Sequence, residues 1–274
     1  MNVSVVVPAY NREKTIGRCL DSILSQVLSP REIVVVDDGS DDRTVEIVEK
    51  YRDNYKNVKL VLQNRGGAQR ARNRGIKEAS SEWIAFLDSD DEWCPEYLKR
   101  INQEIIKSSN DRIVICTSCY RDSGDGREVW HLPGASGNVH SILLVHPWPM
   151  FQGMVVKKRE LEKIGYLDEN CPAFQEWETN LRLSKECEYI FIDEPLFVYY
   201  VNQSISTISG TWGNDYKGRK YIVHKYKQEI IDTCGYRVLS KHYRAMSERI
   251  DGLTHWTCHF IEGIYLIRSF FEKK

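Results

Sequence analysis

Three acidic residues occupy four consecutive positions of the sequence: Asp88, Asp90 and Asp91, with Ser89 between the first two. They follow residues 83–87, an apolar run that predicts a buried β-strand. Carboxylates this close together repel one another and destabilise a strand end unless a cation compensates them. An oxygen-only cluster suits Mg²⁺ or Mn²⁺, and few protein ligands leave coordination positions for a diphosphate. We interpret the run as a metal site, with a solvated acidic turn as the alternative.

A second acidic pair, Asp37 and Asp38, ends another apolar run and precedes a Gly-Ser dipeptide. A carboxylate in this position can accept hydrogen bonds from a sugar hydroxyl or from the N–H of a base. An Asp that forms a turn and caps the next helix explains the same pattern equally well. The pair alone therefore leaves both interpretations open.

Residues 64–67, Asn-Arg-Gly-Gly, lead into a predicted helix that carries Arg70, Arg72 and Arg74. Paired glycines let backbone N–H groups approach a ligand closely, and the start of a helix favours negative charge. The three arginines point in different directions, so one or two of them can face a site, and Arg74 is assigned to the solvated face. The absence of Gly-x-Gly-x-x-Gly and Walker A sequences argues against dinucleotide and P-loop sites.

Glu176 begins a predicted helix between Phe174 and Trp177. A carboxylate beside aromatic rings is a candidate for a partly desolvated general base. From spacing alone, a first-turn Glu that matches the helix dipole is the better interpretation.

The elements that must position these residues alternate along the first 120 residues. Apolar, β-branched runs predict strands at residues 3–7, 33–36, 58–62, 83–87 and 113–116, with helices between them. Strands that are apolar on both faces imply a Rossmann-like, mostly parallel sheet flanked by helices, an α/β fold. Ligands of such sheets bind beyond the carboxyl ends of the strands, where the acidic and glycine-rich runs fall.

The alternation breaks near residue 122. Residues 189–192 and 196–201 predict two strands that pair with each other. The last 60 residues, 215–274, contain 12 Lys+Arg against 7 Asp+Glu, and residues 255–271 are rich in aromatic and aliphatic side chains. A helix packed on the domain explains this basic segment, and weak attachment to an anionic membrane surface is the alternative.

Composition excludes several classes of protein. The 274 residues have a net charge of -1, which argues against a nucleic-acid binder that relies on bulk attraction to phosphates. No apolar run approaches the length of a membrane span, and the N-terminus lacks the pattern of a signal peptide. Eight scattered cysteines fit reduced thiols. We therefore expect a cytoplasmic protein.

Four motifs in order resemble glycosyltransferase family 2: residues 6–11 (Val-Val-Pro-Ala-Tyr-Asn), 35–40 (Val-Val-Asp-Asp-Gly-Ser), 64–73 and 88–91. The resemblance spans about residues 3–200. It implies a GT-A fold, a nucleoside-diphosphate sugar donor, a divalent metal and inversion at the anomeric carbon. Residues 1–120 would be the nucleotide-sugar-binding half, 121–214 the acceptor-binding and catalytic half of the same domain, and 215–274 a helical C-terminal extension.

The resemblance also implies roles for single residues. Residues that would bind the nucleotide sugar are Pro8, Ala9, Tyr10, Asp38, Asn64, Gly67, Arg72, Asp88 and Ser89, with Asp38 on the base. Asp90 would bind Mn²⁺ or Mg²⁺ with help from Asp91. Glu176 would be the catalytic base, in place of the family's commoner Asp, which reverses the interpretation from spacing alone.

The sequence departs from the family in two places. No Gln-x-x-Arg-Trp element follows Glu176, which argues against a processive polysaccharide synthase. Many relatives have a metal-binding His after the strand that corresponds to residues 199–200, whereas Asn202 stands here. Residues 204–213 are expected to form a loop over the donor.

The resemblance therefore predicts an inverting, metal-dependent transferase that moves one sugar, UDP-linked by family habit, to a glycan or lipid-linked saccharide in cell-envelope polysaccharide synthesis. Peripheral contact with the inner face of the membrane would involve the C-terminal segment. A sugar-1-phosphate nucleotidyltransferase is one alternative, but it requires a Gly-rich loop after the first strand. A non-catalytic nucleotide-sugar-binding module is the other alternative.

Overall fold

The computed structural model describes residues 2–130, 132, 134–201, 212–248, 258–259, 261–266 and 268. The first half of the chain alternates strands and helices, as its apolar pattern predicts. These elements are β1 (Val3–Ala9), α1 (Ile16–Leu24), β2 (Glu32–Asp37), α2 (Thr44–Asn54), β3 (Val58–Leu62), α3 (Ala68–Glu78), β4 (Trp83–Phe86), β5 (Glu92–Trp93) and α4 (Tyr97–Lys107).

The second half mixes short strands with helices, and a 3₁₀ turn at Phe151–Gly153 precedes β8. Its further elements are β6 (Ile113–Asp122), β7 (Arg127–Trp130), α5 (His140–Leu143), β8 (Met154–Lys157), α6 (Lys158–Lys163), α7 (Gln175–Leu183), β9 (Glu188–Tyr200), α8 (Trp212–Lys225), α9 (Lys227–Cys234) and α10 (Tyr236–Ser247). The predicted boundary after residue 120 falls within β6, and the one after residue 214 falls within α8, so the three-part division stays a prediction.

The nine strands found among the described residues belong to one sheet, in the order β3-β2-β1-β4-β8-β6-β9-β5, with β7 paired to β6. The first four strands are parallel, which confirms the α/β class, and antiparallel pairings attach β8, β5 and β7. The predicted pairing of residues 189–192 with 196–201 is wrong. Both belong to β9, which runs parallel to β6, and the register shifts where Ser118 meets Pro195. Pro195 has no N–H to donate, and such an irregularity accommodates it.

Apolar clusters cover both faces of the sheet. Val3, Val5 and Val7 of β1 pack with α1 and α4 on one face. Val6 points the other way and belongs to the cluster that includes α3 and α7. Because both faces are buried, consecutive positions of β1 are apolar.

The helices of the C-terminal extension join the cluster of α7. Their contribution to that cluster is Ile222, Val223, Tyr226, Ile230, Leu239, Tyr243 and Met246. Within the basic segment 255–271, Cys258 and Tyr265 are buried in the same cluster. None of the helices in the described part of the chain is both long and apolar enough to cross a membrane. Membrane contact by this segment stays a prediction.

Helix α3 approaches the sheet very closely at Gly75. A methyl group added to Gly75 would overlap Cγ1 of Val6 and would lie 3.3 Å from Cγ2 of Val36. The missing side chain therefore sets the depth at which α3 packs, and with it the position of Arg72 one turn earlier on the same helix.

Replacing Gly75 with alanine should lower the free energy of unfolding by about 1–3 kcal/mol, because Val6 or the whole helix must shift. The matched control is Gly17→Ala in α1, where the new methyl group would lie 3.6 Å from Oη of Tyr51, an ordinary contact distance. Higher helix propensity should leave that variant as stable as the parent, or more stable by up to about 1 kcal/mol. Urea unfolding measures both, and equal stabilities would show that α3 can move away from the sheet freely.

Candidate active site at the carboxyl edge of the parallel strands

The carboxyl ends of β1, β2 and β4 meet at one edge of the sheet, since these strands are parallel neighbours. This brings Ala9, Asp38 and Asp88 to the same edge, and Asp38 N donates to Ala9 O at 2.8 Å. Pro8 and Ala9 are buried at the end of β1, and Tyr10 is half-buried just beyond it. The predicted donor-binding residues of the first four strands therefore converge.

Asp38 holds the loop between β3 and α3. Its buried carboxylate accepts hydrogen bonds from Gly66 N at 2.8 Å, Gly67 N at 2.7 Å and Gln63 Nε2 at 2.7 Å. Gly67 precedes α3 with φ at +91°, a conformation that favours glycine. Asn64 is exposed in this loop. Asp38 thus shapes the rim of the site whether or not it also contacts a base.

Asp37 fits the turn-forming interpretation. Its carboxylate accepts hydrogen bonds from Gly39 N at 3.1 Å, Ser40 N at 2.9 Å and Ser40 Oγ at 2.5 Å.

On the outer side of the same edge, the guanidinium of Arg65 lies 3.2 Å from the ring centroid of Tyr10. A base that stacks on this face of Tyr10 would have to displace Arg65.

The acidic run after β4 is bound by protein groups. Arg72, from α3, donates to one carboxylate oxygen of Asp88, and Gln152 Nε2 donates to the other at 2.9 Å. The same amide reaches Asp91 at 2.7 Å, and Tyr200 N donates to Asp91 at 2.9 Å. We expected that a bound metal cation is needed to offset the repulsion among these carboxylates. That expectation is too strong, because an arginine, an amide and a backbone N–H already offset part of the repulsion.

Asp90 has weaker compensation than its neighbours. Its carboxylate is 3.5 Å from Arg12 Nη2, and its backbone carbonyl accepts from Arg18 Nη2 at 2.6 Å. Burial and the charge of Asp88 raise the pKa of Asp90, against the opposing effect of Arg12. Burial, followed by the charges of Asp90 and Asp88, raises the pKa of Asp91 well above its usual range. An excess of negative potential therefore remains at this corner and favours a cation.

The side chains at this corner fit a divalent metal that takes most of its ligands from the substrate. The side chain of Asp90 is 16% exposed, whereas Asp91 is buried and both of its oxygens accept hydrogen bonds. Among the described residues, no three His, Cys, Asp or Glu side chains form a ready metal cage. Mg²⁺ in nucleotide sites commonly takes one or two carboxylates together with substrate phosphates, which is the arrangement that Asp90 permits. Asn202 and nearly all of the predicted donor loop lie outside the described residues.

Glu176 lies in the first turn of α7, near enough to Arg72 and Asp88 for both charges to act on its carboxyl group. Burial raises the pKa of its carboxyl group, the charges of Asp88 and Asp215 add to this effect, and Arg72 opposes it. Phe174, two residues before Glu176, has the left-handed backbone angles φ 55° and ψ 39°. A carboxylate with a raised pKa beside an Arg–Asp pair has the properties of a general base.

Glu178, the second acidic residue of this turn, is fully committed to ion pairs. It is completely buried and binds Arg182 Nη2 at 2.7 Å, Lys225 Nζ at 2.8 Å and Tyr226 Oη at 3.1 Å. Glu178 is therefore not available to act as the base in place of Glu176.

Sequence reasoning missed Gln152, Arg12, Arg18 and Tyr200. Gln152 lies in the 3₁₀ turn, remote in sequence from the acidic run, and no motif marks it. Arg18 stacks on Tyr200, with its Cζ 3.6 Å from the ring centroid, and Arg127 Nη2 donates to Tyr200 Oη at 2.7 Å. Of these four residues, only Arg12 had a sequence signal, because it lies close to the Pro-Ala-Tyr-Asn motif.

Curated relatives of this chain carry glycosyltransferase names. EpsJ of Bacillus subtilis (strain 168), named an uncharacterized glycosyltransferase, is 32% identical over 222 residues, which are 75% of this chain and 62% of EpsJ. YibD of Escherichia coli (strain K12), named likewise, is 35% identical over 125 residues, 45% of this chain and 36% of YibD. The chain thus spans less than two thirds of the length of either relative.

Solved structures share the fold at low identity. TarS 1–349 of S. aureus, in complex with UDP-GlcNAc, superposes with a TM-score of 0.71 at 22% identity, over 98% of this chain and 82% of that one. The mannosyltransferase PcManGT of Pyrobaculum calidifontis, in complex with GDP-Man and Mn²⁺, gives 0.63 at 17% identity, over 100% and 88%. These likenesses confirm the GT-A fold. A model described as glycosyl transferase family 2 matches residues 4–171, more than half of the sequence. The chain belongs to glycosyltransferase family 2.

Proposed function

We propose that this protein transfers one sugar from a nucleoside-diphosphate sugar to a hydroxyl group of a glycan or lipid-linked saccharide, with inversion at the anomeric carbon. The observation that carries the proposal is the position of Glu176 beside the Arg72–Asp88 pair, next to an acidic corner where the charge of Asp90 is only partly compensated. UDP is the first candidate carrier, because TarS was solved with UDP-GlcNAc, and GDP is the second, because PcManGT was solved with GDP-Man.

The donor would lie across the carboxyl edge of β1, β2 and β4. Pro8, Ala9 and Tyr10 would line the nucleoside pocket with Asp38 and Asn64, and Ser89 would close it from the acidic run. The diphosphate would meet the first turn of α3, where the helix dipole and the backbone N–H groups after Gly67 favour anions, while the N–H groups of Gly66 and Gly67 themselves bind Asp38. A methyl group added to Gly67 would meet nothing within 4 Å, so the space beside this backbone is open.

Asp90 would hold Mn²⁺ or Mg²⁺ against the diphosphate, and Asp91 would support it by fixing Tyr200 and Gln152. The metal would act as a Lewis acid that stabilises the charge of the leaving nucleoside diphosphate. Arg72 would add to this stabilisation from the protein, since its side chain is buried and turned toward Asp88.

Glu176 would remove the proton from the acceptor hydroxyl as its oxygen attacks the anomeric carbon from the face opposite the leaving group. The C–O bond to the acceptor forms while the bond to the diphosphate breaks, and the proton ends on the Glu176 carboxylate. A raised pKa makes this carboxylate a stronger base than an exposed Glu. No covalent bond to the protein is required.

Replacing Asp90 with asparagine should abolish the dependence of donor binding on Mn²⁺. The measurement is a thermal-shift screen of UDP and GDP sugars with and without Mn²⁺, because a ligand that binds only the folded state raises the melting temperature. Asp125→Asn, an exposed change in the turn before β7, is the control and should behave as the parent does. If the parent enzyme kept full activity in the presence of a chelator, the proposed role of the metal would be refuted.

Replacing Glu176 with glutamine should lower kcat by about 100- to 10,000-fold with little change in donor affinity, because it removes general-base catalysis. In the parent, kcat should fall as the pH drops through a value above 4.5, since protonation inactivates a base whose pKa is raised. Steady-state kinetics over a pH series measures both effects.

Glu178→Gln is the matched control for this experiment. It should lower the melting temperature, because Lys225 and Arg182 lose a buried partner, while kcat per folded molecule falls far less than in Glu176→Gln. Unchanged turnover in Glu176→Gln would refute the assignment of the base. Donor binding without turnover in the parent would instead favour a non-catalytic binding module.

A further inference from the structure

The turn that begins the helix of Glu176 has a costly backbone conformation. Phe174 adopts left-handed angles, which bulky residues avoid, and its ring packs edge-on against Trp177 with centroids 6.0 Å apart. Such a conformation persists only where surrounding groups impose it. Groups of the C-terminal extension contact this turn directly.

Helix α8 meets this turn without a side chain between the two backbones. A methyl group added to Gly218 would lie 2.7 Å from the carbonyl oxygen of Ala173, the residue before Phe174. The next residue, Arg219, is 7% exposed. Its guanidinium carbon lies 5.4 Å from the ring centroid of Phe174 and 5.3 Å from that of Trp177, so the cation touches both rings of the turn.

Helix α10 fixes the orientation of Arg219 through His242. Nη1 of Arg219 is 3.2 Å from Nδ1 of His242, and Nε2 of His242 is 2.8 Å from Leu144 O. Burial, opposed by the hydrogen bond to Leu144, lowers the pKa of His242 to about 4, with further lowering by Arg219 and His146. A neutral ring that donates from Nε2 to Leu144 must accept at Nδ1, and Arg219 supplies that donor.

Trp177 and His242 are anchored to consecutive carbonyls. Trp177 Nε1 donates to Leu143 O at 2.5 Å, one residue before the carbonyl that His242 uses. The two rings lie 5.7 Å apart. The start of α7 is thus held to the end of α5 on one side and to α8 and α10 on the other.

We propose that Arg219 and His242 are positioning residues for Glu176, because together they fix the Phe174 turn that aims the Glu176 carboxylate at the Arg72–Asp88 pair. The proposal rests on the function proposed above. Apolar side chains would fill this space at a lower desolvation cost than a guanidinium, so the arginine contributes direction rather than packing alone. The C-terminal extension is then part of the catalytic unit.

Two changes loosen the turn, and each has a matched control. Gly218→Ala pushes α8 away from Ala173, and Gly263→Ala is its control, since a methyl group there would meet nothing within 4 Å. His242→Leu removes the acceptor of Arg219, whereas His242→Asn keeps an acceptor oxygen near the position of Nδ1. The proposal therefore predicts no effect of Gly263→Ala on the turn and a small effect of His242→Asn. Gly218→Ala and His242→Leu should both have large effects on the turn.

The first measurement is hydrogen–deuterium exchange in a peptide that covers residues 171–178. Exchange there should rise at least tenfold in Gly218→Ala and His242→Leu, and should match the parent in Gly263→Ala. This measurement needs no donor and no activity. Unchanged exchange in both disruptive variants would overturn the proposal, whatever the kinetics show.

The second measurement is turnover of UDP-GlcNAc with water as acceptor, per folded molecule. In the disruptive variants kcat should fall about 10- to 100-fold while the KM for UDP-GlcNAc stays within about twofold, and His242→Asn should recover most of the loss. Loss of stability with unchanged kcat per folded molecule would reduce the pair to a structural role and refute the proposal. If the parent turns over no nucleotide sugar at all, the proposed function fails, and the exchange experiment still decides whether the pair holds the turn.

Discussion

Crowded negative charge at the end of β4 is the constraint on which the rest of this site depends. Asp88, Asp90 and Asp91 are brought close together, and burial, followed by the charges of the neighbouring carboxylates, raises the pKa of the last two. The protein relieves this repulsion only in part. Arg72 and Gln152 bind Asp88, whereas Asp90 keeps a single ion pair at 3.5 Å among the contacts described for its carboxylate. The remaining negative potential at this corner favours a cation.

The groups that offset this negative charge come from distant parts of the chain. Gln152 comes from the turn before β8, the backbone of Tyr200 comes from the end of β9, and Arg72 comes from α3. Arg72 reaches Asp88 only because α3 lies deep on the sheet, which the absence of a side chain at Gly75 allows. A packing feature on one face of the sheet thus determines the electrostatics at its edge.

The sequence predicts what neighbouring residues determine, and it fails where the answer depends on remote partners. The parallel half was predictable because apolar runs and helical spacing are local signals, and the acidic run could be located for the same reason. The error at β9 arose because two short apolar runs look the same whether they pair with each other or with a third strand. Gln152 and His242 carry no local signal, since only the fold brings Gln152 to Asp91 and His242 to Arg219.

The environments of Glu176 and Glu178 show why the site extends beyond the sheet. Spacing alone gives both residues the same first-turn role, but Glu178 is fully buried and forms ion pairs with Arg182 and with Lys225 of α8. Glu178 therefore ties α7 to the C-terminal extension, and Glu176, two positions away, is left free of that ion pair to face Arg72 and Asp88. Since Arg219 of the same α8 also contacts the rings of Phe174 and Trp177, a shift of α8 must move the turn of Glu176. The C-terminal helices are thus coupled to the edge of the sheet through the first turn of α7, and a fragment that ends at residue 214 would lack the groups that hold that turn.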